Sequence, residues 1–373
     1  MKKRMRIVFA TLMCSLFFSV LADAKEPIHI GLSAPMTGQY AGYGEGFKNA
    51  TDLAADRINN AGGIDGRPVE VIVRDSQGDP RLAKRVARKF AEDKRIVATV
   101  GDITSSCCMS AQSIYQRAKL VQLSPTASHP SFAPGSPFSF GINGIQSGRS
   151  QFMARTLVSV FRKKRVAVIY LNNDWGVMAQ KFFVGEAEKL GLKITGVESY
   201  FEGTEDFRLP LEKLRKENPE VLFLFSMYED GALICKERQE IGWNDGAVIG
   251  SDTLHSPKFI RKAGASSENV YMFTSFFQEA PDTQIQAFVK GYQTRFNISP
   301  DITAALSYDA MNILAKAATR GGTDRKAIRD ALTKITNFPG ITGEMTFDEH
   351  GNVEKTSSIL QVKNGKFVLF SGK

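Results

Sequence analysis

The residues best suited to chemistry sit together in Val100–Ser113, VGDITSSCCMSAQS. Ile96–Val100 is mostly β-branched and fits a buried strand. Gly101 and Asp102 interrupt it, and Thr104, Ser105 and Ser106 are residue types that cap helices. An amphipathic helix is expected from about Cys107 to Arg117. A helix starting there aims its unpaired backbone N–H groups, and the positive end of its dipole, at the tip of the strand. With the serine hydroxyls this makes an anion site that needs no charged side chain, and a small molecule's carboxylate suits it. The plainer role for the same serines is capping alone. A second chemistry is nucleophilic: Cys107 or Cys108 at a helix start would have a lowered thiol pKa, with His129 in a neighbouring loop. No oxyanion or third-group motif accompanies that pair, so an enzyme is not expected. His29, His129, His255 and His350 show no metal-ligand spacing, so neither a metal nor a cofactor is expected.

The elements that must position this loop form two consecutive βα series. Ile28–Ala34, Val69–Val73, Ile96–Val100 and Leu120–Leu123 read as strands of the first, with helices over Gly46–Asn60 and Arg81–Glu92 between them. Asp79-Pro80 is a helix-start signal. Pro35–Tyr43 reads as a loop. The second series places strands at Arg165–Leu171, Lys193–Tyr200, Val221–Phe225, Ala247–Gly250 and Val270–Phe273. Its helices fall at Gly148–Phe161, Asp174–Leu190, Phe207–Lys216, Asp230–Ile241 and Pro257–Ala263. Strands alternating with helices imply parallel sheets covered on both faces. Thr126 and Ser128 then share the carboxyl edge of one sheet with Ser105, where ligands bind in open α/β folds. After Thr274 three helices follow in succession, Thr283–Phe296, Thr303–Arg320 and Arg325–Ile335. Short strands at Met345–Phe347, Ile359–Val362 and Phe367–Phe370 come last, the final two joined by an Asn364-Gly365 turn.

Length and composition fit about two soluble globular domains: 373 residues, 43% hydrophobic and 23% charged. Met1–Arg6 carries four basic residues, Ile7–Val20 is a mainly apolar stretch of 14, and Ala22-Asp23-Ala24 has a small-x-small pattern. Residues 1–24 are expected to be a cleaved secretory signal peptide, too short in its apolar part to span a bilayer. Cys14 lies inside that apolar run, so no lipoprotein anchor is expected. Residues 25–373 keep 44 basic and 38 acidic groups, a formal charge of +6. No basic, aromatic-interleaved patch supports nucleic-acid binding. Cys107, Cys108 and Cys235 remain, an odd number, and are expected to be small buried hydrophobes.

The ordered motifs PMTGQYAGYGEGFKNATDLAADRINNAGGIDGRPVEVIVRDSQGDP, VGDITSS, LSPTAS, VIYLNNDWG and ITGEMTFDEHGNV carry a resemblance over nearly all of residues 28–370. They resemble the type I periplasmic substrate-binding proteins of ABC importers, most of all the leucine/isoleucine/valine-binding family. The resemblance implies an α/β fold of two lobes, each a parallel-rich sheet flanked by helices, with three hinge crossings. Lobe 1 would comprise residues 25–143 and 275–353, and lobe 2 residues 144–274 and 354–373. It further implies that Ser105, Thr126, Ala127 and Ser128 hold a ligand carboxylate and ammonium through hydroxyl and backbone groups. Tyr43 would match an aromatic of the first loop, Trp175 and Tyr228 would form an apolar wall from lobe 2, and Asp252 would meet the ammonium. The family's small lobe-one disulfide has no counterpart, since Gly78 and Thr104 stand at those positions. The implied function is periplasmic capture of a small α-amino acid, branched-chain or aromatic, by a monomer that delivers it to an ABC permease at the inner membrane. The competing readings are an amide, urea or aromatic-carboxylate binder and a sensory ligand-presenting protein.

Overall fold

The alternation of β-branched runs with amphipathic stretches builds two separate sheets. The computed structural model describes residues 25–371, so the expected signal peptide lies outside the described residues. In the first half, strands β1 (Ile28–Ala34), β2 (Val69–Asp75), β3 (Ile96–Val100), β4 (Val121–Ser124) and β5 (Ser139–Gly141) pair in the order β2-β1-β3-β4-β5. Every pairing in this sheet is parallel. Helices α1 (Ala41–Asn60), α2 (Pro80–Glu92) and α3 (Ser105–Arg117) connect the strands.

The next stretch contributes α4 (Gln146–Ser159), β6 (Arg165–Leu171), α5 (Asp174–Lys189), β7 (Lys193–Tyr200), α6 (Arg208–Lys216), β8 (Val221–Phe225), α7 (Tyr228–Glu240), β9 (Ala247–Gly250), α8 (Pro257–Ala263) and β10 (Val270–Thr274). The late helices α9 (Thr283–Phe296), α10 (Ile302–Gly321) and α11 (Arg325–Leu332) then return to the first sheet. There α10 packs on α1, and α11 packs beside β3 and β4. A small hairpin, β11 (Phe338–Gly340) with β12 (Gly343–Met345), stands apart. The terminal hairpin β13 (Ser358–Lys363) and β14 (Lys366–Leu369) completes the second sheet, ordered β14-β13-β10-β9-β8-β6-β7. Only the β10–β13 and β13–β14 pairings in it are antiparallel. The chain passes between the sheets in 142–145, 275–282 and 346–357. The first and last of these passages lie side by side, with Gly141 N–H donating to Gly351 C=O at 2.9 Å.

Several element boundaries differ from the sequence expectation. Helix α1 begins at Ala41, not Gly46, so Tyr43 sits in its first turn instead of a loop. Glycines at 42, 44 and 46 hide that start from propensity, and burial of Tyr43 and Phe47 overrides it. Helix α11 stops at Leu332, three residues before the expected end. The late strand expected at Met345–Phe347 is Gly343–Met345, paired to Phe338–Gly340, which carries a proline and does not read as a strand.

Gly101 fixes the exit of β3. Its φ is +113°, and a Cβ there would lie 1.9 Å from the Ser33 carbonyl oxygen. Both the backbone conformation and the contact exclude a side chain. Gly101→Ala should therefore lower stability by more than about 1 kcal/mol. Urea denaturation at unchanged m-value checks this, and an unchanged midpoint would contradict it.

Candidate functional site

The loop after β3 forms one wall of a cavity. Thr104 is the N-cap of α3, and its hydroxyl accepts from Cys107 N–H at 3.2 Å. This leaves the Ser105 and Ser106 amides, the first two of the helix, without a helical acceptor. Ser105 is buried, faces the cavity, and its Oγ accepts from His129 N–H at 3.4 Å. Ser106 turns across the cleft and donates from Oγ to Asp174 Oδ2 at 2.7 Å.

The loop after β4 contributes less than the resemblance implied. Thr126 lines the cavity, but its hydroxyl donates to Ile103 C=O at 2.7 Å. Its proton is thus engaged, and its lone pairs are what it offers a ligand. Ala127 N–H donates to Ser124 Oγ at 2.9 Å, and Ala127 packs among Cys108, Phe132 and Ala133. Ser128 donates to Gln146 Oε1 at 3.1 Å, and neither Ala127 nor Ser128 is in the cavity wall.

The opposite wall comes from the second sheet. Trp175 lines the cavity from the first turn of α5, and its indole N–H donates to the same Gln146 Oε1 at 3.2 Å. Asp252 follows β9 and faces the cavity while 5% exposed. It was expected to meet a ligand ammonium, and it already has two partners. Arg149 Nη2 lies 2.5 Å from its Oδ1, and Asn143 Nδ2 donates to its Oδ2 at 3.3 Å. Tyr43 bridges the two walls from α1: its hydroxyl donates to Thr253 C=O at 3.1 Å and accepts from Tyr228 N–H at 2.8 Å. Tyr228 itself stands behind, its ring 4.8 Å from that of Tyr43 and outside the cavity wall. It turns toward α1 because Gly42 leaves room; a Cβ at Gly42 would lie 2.0 Å from the Tyr228 hydroxyl oxygen.

The structure therefore brings Tyr43, Ser105, Thr126, Trp175 and Asp252 around one cavity of about 540 Å³, mouth included, and leaves Ala127, Ser128 and Tyr228 behind it. Ile103, Met227, Ile302 and Leu306 add apolar surface, and Asp252 is the charged residue in the wall. Ile302 and Leu306 carried a usable signal, one helical turn apart at the start of a late helix. Asn143 lies in the first passage between the sheets. Arg149 gave no signal beyond being a basic residue early in a helix.

The thiols are unsuited to nucleophilic chemistry. Cys107, Cys108 and Cys235 are free and buried. Burial raises the Cys107 thiol pKa, and pushes those of Cys108 and Cys235 up to about 12. The lowering expected from the helix start is overridden by desolvation. Among the described residues no three His, Cys, Asp or Glu side chains form a metal cluster, and no helix is long and apolar enough to cross a membrane.

Beside the cavity, burial pushes the Glu229 carboxyl up to about 7 and that of Asp230 up to about 6. A carboxyl raised in the fold holds its proton more tightly than the unfolded chain does. Its stabilising contribution is complete below the unfolded value and is lost as pH rises through about 7. Glu229→Gln keeps the neutral form at all pH. The variant should gain stability relative to wild type between pH 5 and pH 8, by up to about 3 kcal/mol. Denaturant melts of both proteins at the two pH values check this, and a constant difference would contradict it.

The sequence of residues 27–366 matches the family model described as periplasmic binding protein. A leucine/isoleucine/valine-binding protein of Rhizobium johnstonii is 26% identical, over 98% of this chain and 99% of its own length. Among solved structures, a branched-chain amino acid substrate-binding protein from Streptococcus pneumoniae, in complex with isoleucine, aligns with a TM-score of 0.86. It is 26% identical and covers 91% of this chain and 97% of its own. A protein described as a putative branched-chain amino acid ABC transporter from Rhodospirillum rubrum is 34% identical, with a TM-score of 0.71 and coverage of 92% and 100%. The chain belongs to the periplasmic binding protein family and carries its two-lobed type I fold; it binds a solute and does not transform one.

Proposed function

We propose that this protein captures a small α-amino acid with an apolar side chain and delivers it to an ABC permease at the inner membrane. The observation that carries the ligand reading is one cavity with Thr104 and Ser105, the N-cap and first residue of α3, on one wall and Asp252 on the other. The ligand carboxylate accepts from the Ser105 and Ser106 amides and from the Ser105 hydroxyl, a charge-assisted set. Its ammonium lies against the cavity side of Asp252 and the Thr126 hydroxyl oxygen. Its side chain meets Ile103, Trp175, Met227 and Leu306. The names of the relatives, which bind leucine, isoleucine and valine, support the same class.

In this reading residues 25–143 and 275–353 form lobe 1, residues 144–274 and 354–373 form lobe 2, and residues 1–24 direct export to the periplasm as a monomer. Closure is favoured by contacts that exist only when the lobes meet. Tyr43 to Thr253 and Tyr228 is one such contact. Lys258 Nζ to Glu45 at 2.6 Å, Tyr40 to Glu202 at 2.6 Å, and Ser256 to Asp301 at 3.0 Å are others.

Thermal-shift screening of protein refolded from denaturant tests the reading. A ligand at about 100 times its Kd adds about 2.7 kcal/mol of stability. Leucine, isoleucine, valine or phenylalanine should raise Tm. Ser105→Ala should weaken the best of them about 10- to 100-fold, the worth of a hydrogen bond to a charged group. No shift with any apolar amino acid would overturn the ligand class, and unchanged affinity in the variant would remove Ser105 from the site.

A further inference from the structure

We propose that the solvent face of helix α2 docks this protein on anionic phospholipid, the headgroup layer of the membrane that carries its permease. The choice of a lipid surface as the acidic partner rests on the periplasmic reading above; the charge of the face does not.

The argument starts from where the charge lies. Residues 25–373 carry a formal excess of +6, and residues 79–95 alone hold seven basic and three acidic side chains, a net +4. The remainder of the chain is close to balance, so the excess is a local field and not a general aid to solubility. Helix α2 concentrates it. Ala83, Val86, Ala87 and Phe90 are buried, with Val86, Ala87 and Phe90 packed among Ala111, Ile114 and Tyr115 of α3. The helical period then turns Arg81, Lys84, Arg85, Arg88 and Lys89 outward. All five are exposed, and with Glu92 they make up the exposed residues of the helix. At the rise of an α-helix these five cations fall within about 12 Å along its axis.

The surroundings do not offset this stripe. Among the described residues Lys84, Arg85 and Arg88 have no carboxylate within 4.0 Å. Arg81 lies 2.9 Å from Asp79 and Lys89 lies 3.7 Å from Glu92, pairs that are open to solvent and contribute little. Helix α3, packed along α2, contains no acidic residue and exposes Arg117. The edge strand β2 exposes Arg74, whose guanidinium lies 5.8 Å from the centre of the Phe90 ring. The acids of β2 are engaged elsewhere. Glu70 lies 3.3 Å from His29, and Asp75 accepts from the Met36, Thr37 and Gln77 amides.

What the face lacks identifies its partner. Neither α2 nor α3 exposes an aromatic or large aliphatic side chain. A protein partner needs such anchors for a dry centre, whereas a lipid surface needs only cations to meet a mobile array of phosphates. With nothing apolar to insert, the contact stays at the headgroups, sensitive to salt and reversible. Each Lys or Arg near an anionic surface strengthens binding about fivefold, enough in sum to hold the protein at the membrane without trapping it there. The cations all hang from the first sheet. The helix starts at the cleft rim, where a Cβ at Gly78 would lie 2.4 Å from the Tyr40 ring, and Tyr40 in turn donates to Glu202 beyond the second sheet's β7 at 2.6 Å. Docking through α2 therefore leaves the second sheet free to swing.

The test is co-sedimentation of the protein with vesicles of phosphatidylethanolamine and phosphatidylglycerol, and with uncharged phosphatidylcholine vesicles for comparison. At low ionic strength the protein should pellet with the first and not with the second. Salt at about 1 M, where the Debye length is about 3 Å, should release it. Lys84→Gln/Arg85→Gln/Arg88→Gln should weaken partitioning about a hundredfold, three cations at about fivefold each. Lys181→Gln/Lys216→Gln/Lys236→Gln makes the same change in total charge at exposed positions of α5, α6 and α7. It should stay within about threefold of the wild type, because those charges lie beyond the reach of a screened surface field. Both triple variants should keep the wild-type affinity for leucine in calorimetry, which shows that they are folded. No pelleting with phosphatidylglycerol vesicles, equal pelleting with phosphatidylcholine, or equal weakening in the two triple variants overturns the proposal and leaves the amino-acid reading standing. Failure of every apolar amino acid to bind overturns that reading and does not touch the vesicle result.

Discussion

A helix that starts inside a protein presents amides that need acceptors, and the cleft is organised around that requirement at α3. Thr104 satisfies one amide from within, the two before it have no helical acceptor, and Thr104 and Ser105 line the cavity. Much of what surrounds the loop serves to hold this start in place. Gly101 turns the chain out of β3, Thr126 ties down Ile103 C=O, and Ser124 gathers the following loop. The anion seat is therefore made of backbone, and its geometry depends on the sheet beneath it more than on any side chain. Such a seat is preorganised, which limits the ordering cost of binding.

The second wall works differently. It is made of side chains whose charges and hydroxyls are already partnered, and it meets the first through a few polar bridges. Gln146 Oε1 receives both Ser128 and Trp175, so the first-sheet loop and the aromatic wall share one acceptor. Tyr43 joins α1 to the backbone at Thr253 and Tyr228. Its ring also lines the cavity, so ligand contact and lobe contact meet in one residue. Gly42 permits this by leaving no Cβ between α1 and Tyr228. The pairing of Arg149 with Asp252 keeps this wall free of an unbalanced charge.

The sequence carried the fold class well because the βα alternation is regular and the buried strands are rich in valine, isoleucine and leucine. Eight strand and helix spans, Ile28–Ala34, Ile96–Val100, Arg165–Leu171, Lys193–Tyr200, Val221–Phe225, Ala247–Gly250, Pro257–Ala263 and Thr283–Phe296, coincide with expectation to the residue. The start of α1 was hidden because glycines there serve close packing, which composition reads as a loop. Ser105 was legible from residue types alone, as a hydroxyl at a strand-to-helix turn. Tyr43, Trp175 and Asp252 were legible only through the family resemblance. Arg149 was illegible by either route. A basic residue early in a helix normally faces water, and its burial follows from where β9 ends in space. The same holds for the engaged proton of Thr126, which no spacing reveals.

One feature of the second sheet bears on how the molecule comes into being. Strand β10 has β9 on one side and β13 on the other, and in chain order β13 comes after every other strand of that sheet except β14. Until that hairpin has left the ribosome, β10 keeps a row of open backbone donors and acceptors along one edge. The central layer of the second lobe thus cannot close during synthesis, however early its other strands emerge. A nascent chain held open in this way stays threadable until β13 has been made, and a chain clipped short of residue 358 would expose a sticky edge.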